Sequence, residues 1–150
     1  MTTIDIRPLA ATDHADWHSL WRGYQQFYKV DLAEATSQTT WQRLLDEREP
    51  MHGAVAITMD RVVGIVHFIQ HRSCWTPGDY LYLQDLFVAP DLRGRGVGRA
   101  LIEYVYAQAE SRACSRVYWL THETNREAMG LYDRIAERPG FIQYRKVFPR

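Results

Sequence analysis

Residues 85–104 read Asp85-Leu-Phe-Val-Ala-Pro-Asp-Leu-Arg93-Gly-Arg-Gly-Val-Gly-Arg99-Ala-Leu-Ile-Glu-Tyr104, and the fold turns on this stretch. A β-branched and aromatic run ends at Pro90. An arginine and glycine loop follows it, and an apolar-periodic helix begins at once. Gly94, Gly96 and Gly98 alternate, so successive N–H groups can turn toward one point with no Cβ in the way. At a helix N-terminus the unspent N–H groups and the helix dipole favour an anion. Arg93, Arg95 and Arg99 add positive charge around it. The pattern is that of a phosphate cradle, although an ordinary strand-to-helix turn also uses glycine.

Two common cradles fail against these letters. A Walker loop needs a lysine and a hydroxyl residue after its last glycine, and neither is present. A dinucleotide fingerprint, G-x-G-x-x-G, would need glycine where Arg99 stands. The spacing Arg93-x-x-Gly96-x-Gly98 instead resembles the acyl-CoA pyrophosphate loop, R/Q-x-x-G-x-G/A, of the GNAT superfamily of N-acetyltransferases.

Whole-chain properties bound the rest. A chain of 150 residues fits one domain, 1–150, with one sizeable core. No apolar stretch is long enough to span a bilayer, and no basic segment followed by an apolar core opens the chain. Cys74 and Cys114 are isolated, without C-x-x-C or metal spacing, so a reducing cytoplasm is the expected compartment. The zero net charge hides an asymmetry: residues 1–90 hold eleven acids and seven bases, residues 91–150 seven acids and eleven bases. A basic half suits a polyanionic co-substrate, and an acidic half would attract a cationic amine through its long-range field. Dispersed basic residues and the absence of a binding motif argue against nucleic acid.

Periodicity predicts a strand over Ile4–Pro8, a helix capped by Asp13 and reaching Tyr28, and a second helix from Ser37 to Arg48 broken by Pro50 and Gly53. Strands follow over Ala54–Met59 and Val62–His71, joined by a turn at Asp60-Arg61, and then over Tyr80–Val88. The helix behind the glycine loop extends to Arg112, and Arg116–Thr121 is a strand. Thr124-Asn125-Arg126-Glu127 reads as a capping box for a helix to Glu137, and Phe141–Phe148 as a final strand. The order β-αα-βββ-α-β-α-β is an α/β (α+β) fold, a mixed central sheet flanked by helices. It resembles the GNAT order over nearly the whole chain.

A second segment, Asn125-Arg-Glu-Ala-Met-Gly-Leu-Tyr132 with Gly140-Phe141 beyond it, is similar to the family pattern N-x-x-A-x-x-L-Y followed by G-F. The resemblance implies that Asn125 binds the pantetheine or phosphate region of CoA and that Tyr132 protonates the departing thiolate. Positions seven apart lie on nearly one helix face. It further implies CoA contacts at Arg93, Gly94, Arg95, Gly96, Val97, Gly98 and Arg99, and backbone pairing of Leu86, Phe87 and Val88 with the pantetheine arm.

Alternation along Tyr80–Val88 predicts two faces, with Leu81, Leu83, Asp85 and Phe87 together. Asp85 is thus a carboxyl group among apolar neighbours and a candidate general base. Tyr82-Leu-Gln-Asp-Leu-Phe-Val88 is similar to Y-L-E-D-F-F-V of spermidine/spermine N-acetyltransferases. There the glutamate helps to deprotonate the amine; Gln84 stands in its place, and an amide cannot act as a base. Either Asp85, a histidine such as His67 or His71, or a water chain then takes the proton, or the amine arrives already neutral.

The strings G-Y-x-x-F-Y from Gly23 and Y-W-x-T from Tyr118 resemble the polyamine/histone-type acetyltransferase-like branch. The resemblance implies acceptor contacts at Tyr24, Tyr28, Asp31, Trp75 and Gln84, since aromatic faces and a carboxylate suit an ammonium group. Acetyl-CoA is the implied co-substrate, no metal is expected, and the acceptor is a small-molecule amine, a polyamine or a protein lysine. No cysteine is placed for a covalent intermediate, so direct attack in a ternary complex is expected. A non-catalytic acyl-CoA-binding or sensing module is the alternative. A homodimer is expected from an exposed C-terminal strand at the sheet edge, with no membrane partner.

Overall fold

A computed structural model describes residues 3–150. The chain forms two compact units, Met1–Trp119 and Leu120–Arg150. The first is built on a sheet of five strands in chain order: β1 (Asp5–Pro8), β2 (Met51–Thr58), β3 (Arg61–His71), β4 (Tyr80–Val88) and β5 (Arg116–Tyr118). The first three pairings are antiparallel, and β4 with β5 is parallel. Helices α1 (His14–Phe27) and α2 (Glu34–Leu45) pack Trp17, Trp21, Trp41 and Leu44 against Val55, Ile65 and Phe87 on one face. Helix α3 (Val97–Ser111) covers the other, with Val97 and Leu101 against Gly64 and Gly98 against Leu86 and Val88.

Several element ends differ from those the sequence predicts, each for a local reason. Ser37 does not start α2; it is buried one turn inside it, where its hydroxyl accepts the Trp21 indole N–H at 3.0 Å. Gly53 is not a breaker. It lies within β2, where a Cβ would run into the Leu9 side chain. The β2–β3 turn centres on Met59 and Asp60, both at positive φ (52° and 58°), because a two-residue hairpin matching the strand twist needs left-handed backbone at both positions.

Asp13 stands at the N-cap of α1 without bonding the helix. Its carboxylate instead accepts both Arg7 guanidinium nitrogens, at 2.7 and 2.8 Å, and the Ala10 N–H at 2.8 Å. Arg7 beside it is the main cause of an Asp13 carboxyl held below its ordinary range. The folded group is the stronger acid, so this contribution is present above the unfolded carboxyl pKa and is lost as pH falls below it. Asp13→Asn should therefore cost about 2 kcal/mol at neutral pH. In urea titrations the gap from wild type should close below about pH 4; a pH-independent gap would refute the assignment.

A bulge in β4 decides the chemistry. On the Tyr80 side, Phe68 pairs with Leu83; on the Val88 side, His67 pairs with Asp85 rather than Gln84. Gln84 is the extra residue, and it reverses the alternation that the sequence predicts. Leu81 and Leu83 therefore do not share a face with Asp85. Tyr82 does, and so does Phe87 under α1.

The second unit contains α4 (Arg126–Ile135). The expected capping box is not formed: Asn125 is the N-cap residue, and the Thr124 hydroxyl bonds His122 Nδ1 at 2.7 Å. The expected strand over Phe141–Phe148 is also absent, and residues 136–150 carry no ladder. A β-branched and aromatic pattern becomes a strand only where an edge satisfies its backbone. Phe141, Ile142, Tyr144, Val147 and Phe148 are all exposed.

Candidate active site

The glycine loop has the cradle geometry. Gly94 and Gly96 hold φ of 75° and 86°, in the left-handed region, and a Cβ on either would meet nothing within 4 Å. Both positions thus face open space. Gly96 is the N-cap of α3, and its carbonyl accepts the Ala100 N–H at 3.0 Å. The N–H groups of Val97, Gly98 and Arg99 then have no partner within the helix. The Val97 side chain is buried in the core, so its offer to a phosphate is its backbone.

The arginines differ. Arg95 is exposed beside the loop. Arg99 pairs with Glu103 one turn on, at 2.9 Å. Arg93 folds back, donating to the Val88 carbonyl at 3.2 Å with its guanidinium 5.2 Å from the Phe87 ring and 5.7 Å from that of Phe27. These residues fit a CoA pyrophosphate: the loop N–H groups and Arg95 would hold it, while Arg93 braces the strand end.

Beside the loop, β4 has an open edge. Strand β5 pairs only with Tyr80–Tyr82 and ends at Tyr118, so among the described residues β4 has no ladder partner on that side beyond Tyr82. The Ala89 N–H turns inward to the Val63 carbonyl at 2.8 Å. By alternation the polar backbone of Phe87 also faces β3, and that of Leu86 and Val88 faces the open side. Leu86 and Val88 are therefore the residues whose backbone could pair an extended arm; Phe87 contributes a ring to the core.

On the α1 and α2 face, Asp85 sits in a hydrogen-bonded cluster with its side chain only 13% exposed. His67 Nδ1 lies 2.9 Å from Asp85 Oδ2, and the Trp17 indole donates to His67 Nε2 at 2.9 Å. The Tyr24 phenol lies near enough to Asp85 to feel its charge. Burial first, and then the Asp85 charge, push the phenols of Tyr24, Tyr28 and Tyr82 up, which keeps them protonated donors. Two of these rings belong to one aromatic row along α1, Trp21 to Tyr24 (5.5 Å) and Tyr24 to Tyr28 (4.9 Å). Asp85 and His67 also line a cavity of about 210 Å³, together with Trp21, Leu32, Leu44, Met51 and Gln84 among others, and no lysine or arginine is in its wall. A wider groove of about 960 Å³, with Arg7, Asp16, Gln26, Arg61 and Arg93 in its wall, does not reach Asp85.

The structure places Tyr24, Tyr28 and Tyr82 around Asp85 and sets Trp17 behind His67. Trp17 reads in the sequence as one more inward residue of a helical stripe; a buried indole needing an acceptor was the available signal. Tyr82 was hidden by the bulge. Asp31 is exposed between α1 and α2, and Trp75 is 83% exposed on the loop after β3. In the second unit, Asn125 Nδ2 donates to the Thr121 hydroxyl at 3.3 Å, and Tyr132 lies two turns along α4. Among the described residues no group of three metal-ligating side chains is present, and no helix is long and apolar enough to cross a membrane.

A sheet opened beside a left-handed glycine loop, over a buried carboxyl group, is the architecture of an acyl-transferring enzyme. Residues 16–136 match the model of the Acetyltransferase (GNAT) family, and the chain belongs to that family. It is similar to the D-amino-acid N-acetyltransferase HPA3 of Saccharomyces cerevisiae, at 31% identity over 95% of this chain and 90% of that protein. It is also similar to the thialysine N-epsilon-acetyltransferase of Sus scrofa, at 35% over 50% of this chain and 42% of that protein. In fold it matches the crystal structure of a ribosomal-protein-alanine N-acetyltransferase from Brucella melitensis biovar Abortus 2308 (TM-score 0.81, 23% identity, 97% of this chain and 100% of the other). The protein is an acetyltransferase acting on an amine, and enzymes of this family use acetyl-CoA as co-substrate.

Proposed function

We propose that the enzyme acetylates a small primary amine by direct attack in a ternary complex, with Asp85 as the general base. The observation carrying this reading is a carboxyl group held by His67 at the wall of a cavity that contains no lysine or arginine. Such a wall favours an ammonium group, and Trp21 and Phe68 are its aromatic residues. At roughly 30 Å³ per water-sized volume, the cavity admits an amine with a small apolar body. The two relatives named above are, by name, N-acetyltransferases of a D-amino acid and of thialysine, which supports a small acceptor.

Acetyl-CoA supplies a thioester carbonyl open to attack by an amine. Asp85 accepts the proton from the acceptor ammonium and leaves a neutral nucleophile. The outward N–H groups of Leu86 and Val88 are placed to polarise an acyl oxygen. The loop from Gly94 to Arg99 holds phosphate. Tyr132 gives its hydroxyl proton to the departing CoA thiolate and is reprotonated by the proton that the acylated nitrogen sheds, and Asn125 binds the co-substrate; both assignments rest on the N-x-x-A-x-x-L-Y pattern. The enzyme is further proposed to be cytoplasmic, in keeping with two free cysteines, and to act as a homodimer, in keeping with the exposed apolar segment Phe141–Phe148.

Thiol release measured with a panel of amines tests the reading. Small primary amines should turn over faster than bulky ones that exceed a cavity of about 210 Å³. Tyr132→Phe should lower kcat by about 10- to 100-fold with CoA binding retained. Tight CoA binding without thiol release from any amine would instead establish a binding module.

A further inference from the structure

We propose that His67 is the positioning residue for Asp85, with its tautomer fixed by Trp17; this inference rests on Asp85 being the base. An indole N–H can only donate, so the Trp17 bond at 2.9 Å requires a lone pair on His67 Nε2. The single proton of the neutral ring is then on Nδ1, and Nδ1–H donates to Asp85 Oδ2 at 2.9 Å. His67 is 3% exposed, and its ring lies 5.1 Å from that of Trp21 as well as beside Trp17, so it has little room to flip. Asp85 is thus oriented from β3, through a donor that Trp17 of α1 holds in place.

The arrangement depends on the β4 bulge. Continuing the Phe68–Leu83 register without the extra residue would put Gln84 opposite His67, and the carboxyl group would lose its donor. The amide at position 84 therefore does not leave the site without a base. The additional residue brings the neighbouring carboxyl group to a donor whose proton cannot move to the other nitrogen.

Three variants and one spectrum test this. Asparagine places its amide nitrogen near the Nδ1 position and glutamine places its amide near Nε2. His67→Asn thus keeps the donor to Asp85, and His67→Gln keeps the partner of Trp17 but not that donor. His67→Gln should lower kcat by about 10- to 100-fold with the KM for acetyl-CoA within about twofold, and His67→Asn should recover most of the loss. In ¹⁵N spectra at about pH 8, the proton should sit on Nδ1 with Nε2 bare. A proton on Nε2, or asparagine and glutamine variants with equal kcat, would overturn the proposal. Asp85→Asn separates the two readings. Full activity there would remove the base and the positioning role together. Loss of activity there, with wild-type kcat in His67→Gln, would remove only the positioning role.

Discussion

Asp85→Asn should lower kcat by about 10²- to 10⁴-fold, the range general-base catalysis contributes, while leaving CoA affinity close to wild type. Asparagine is nearly isosteric and still accepts the His67 Nδ1–H through its carbonyl oxygen, so the cluster should persist. What is lost is the ability to accept a proton from the acceptor. The deficit should shrink at high pH, where the amine is delivered already neutral, and should be largest near neutrality. Initial rates of thiol release against pH, at saturating acetyl-CoA, measure this. A deficit independent of pH would assign Asp85 to binding rather than to proton transfer.

The double variant Gly94→Val/Gly96→Val should weaken CoA binding by roughly 30- to 1,000-fold. Both glycines hold left-handed backbone, at φ of 75° and 86°. For an L residue this costs about 1–2 kcal/mol each, and a β-branched residue is the worst case. Neither Cβ would clash with anything, so the penalty is conformational: the loop would relax to right-handed backbone and turn its N–H groups away. Calorimetric titration with CoA reads the loss, and an unchanged affinity would mean that the cradle is not used. Gly98 differs, since its φ is outside that region and a Cβ would make ordinary contacts of 3.8 and 3.9 Å with Leu86 and Val88. Gly98→Ala should raise the unfolding free energy by a few tenths to about 1 kcal/mol, as alanine does inside a helix.

The contrast between these glycines shows what was legible in the letters. Strand, loop and helix around residues 85–104 were readable because hydrophobic periodicity and glycine punctuation are local properties. The resemblance to the acyl-CoA loop was readable because the chemistry needs particular residues at fixed spacing. Which glycines carry left-handed backbone was not, since alternate spacing treats all three alike. The α2 start was misplaced because Ser37 has the composition of a cap and the environment of a core residue. The C-terminal strand was misplaced because strand propensity states a preference without supplying an edge.

By itself, the sequence determined the fold class, from the order of its elements, and the family resemblance, the candidate phosphate loop and the candidacy of Asp85, from local patterns. Only the tertiary structure decided what surrounds Asp85. The shift from a Gln84 to an Asp85 partner for His67 arises from one extra residue in a ladder between β3 and β4, and pairing register is a property of two segments at once. Trp17 comes from a third segment, fifty positions from His67, and its indole is what makes that imidazole a one-way donor. Local composition could name the carboxyl group; the packing of a helix and two strands determined how it is held.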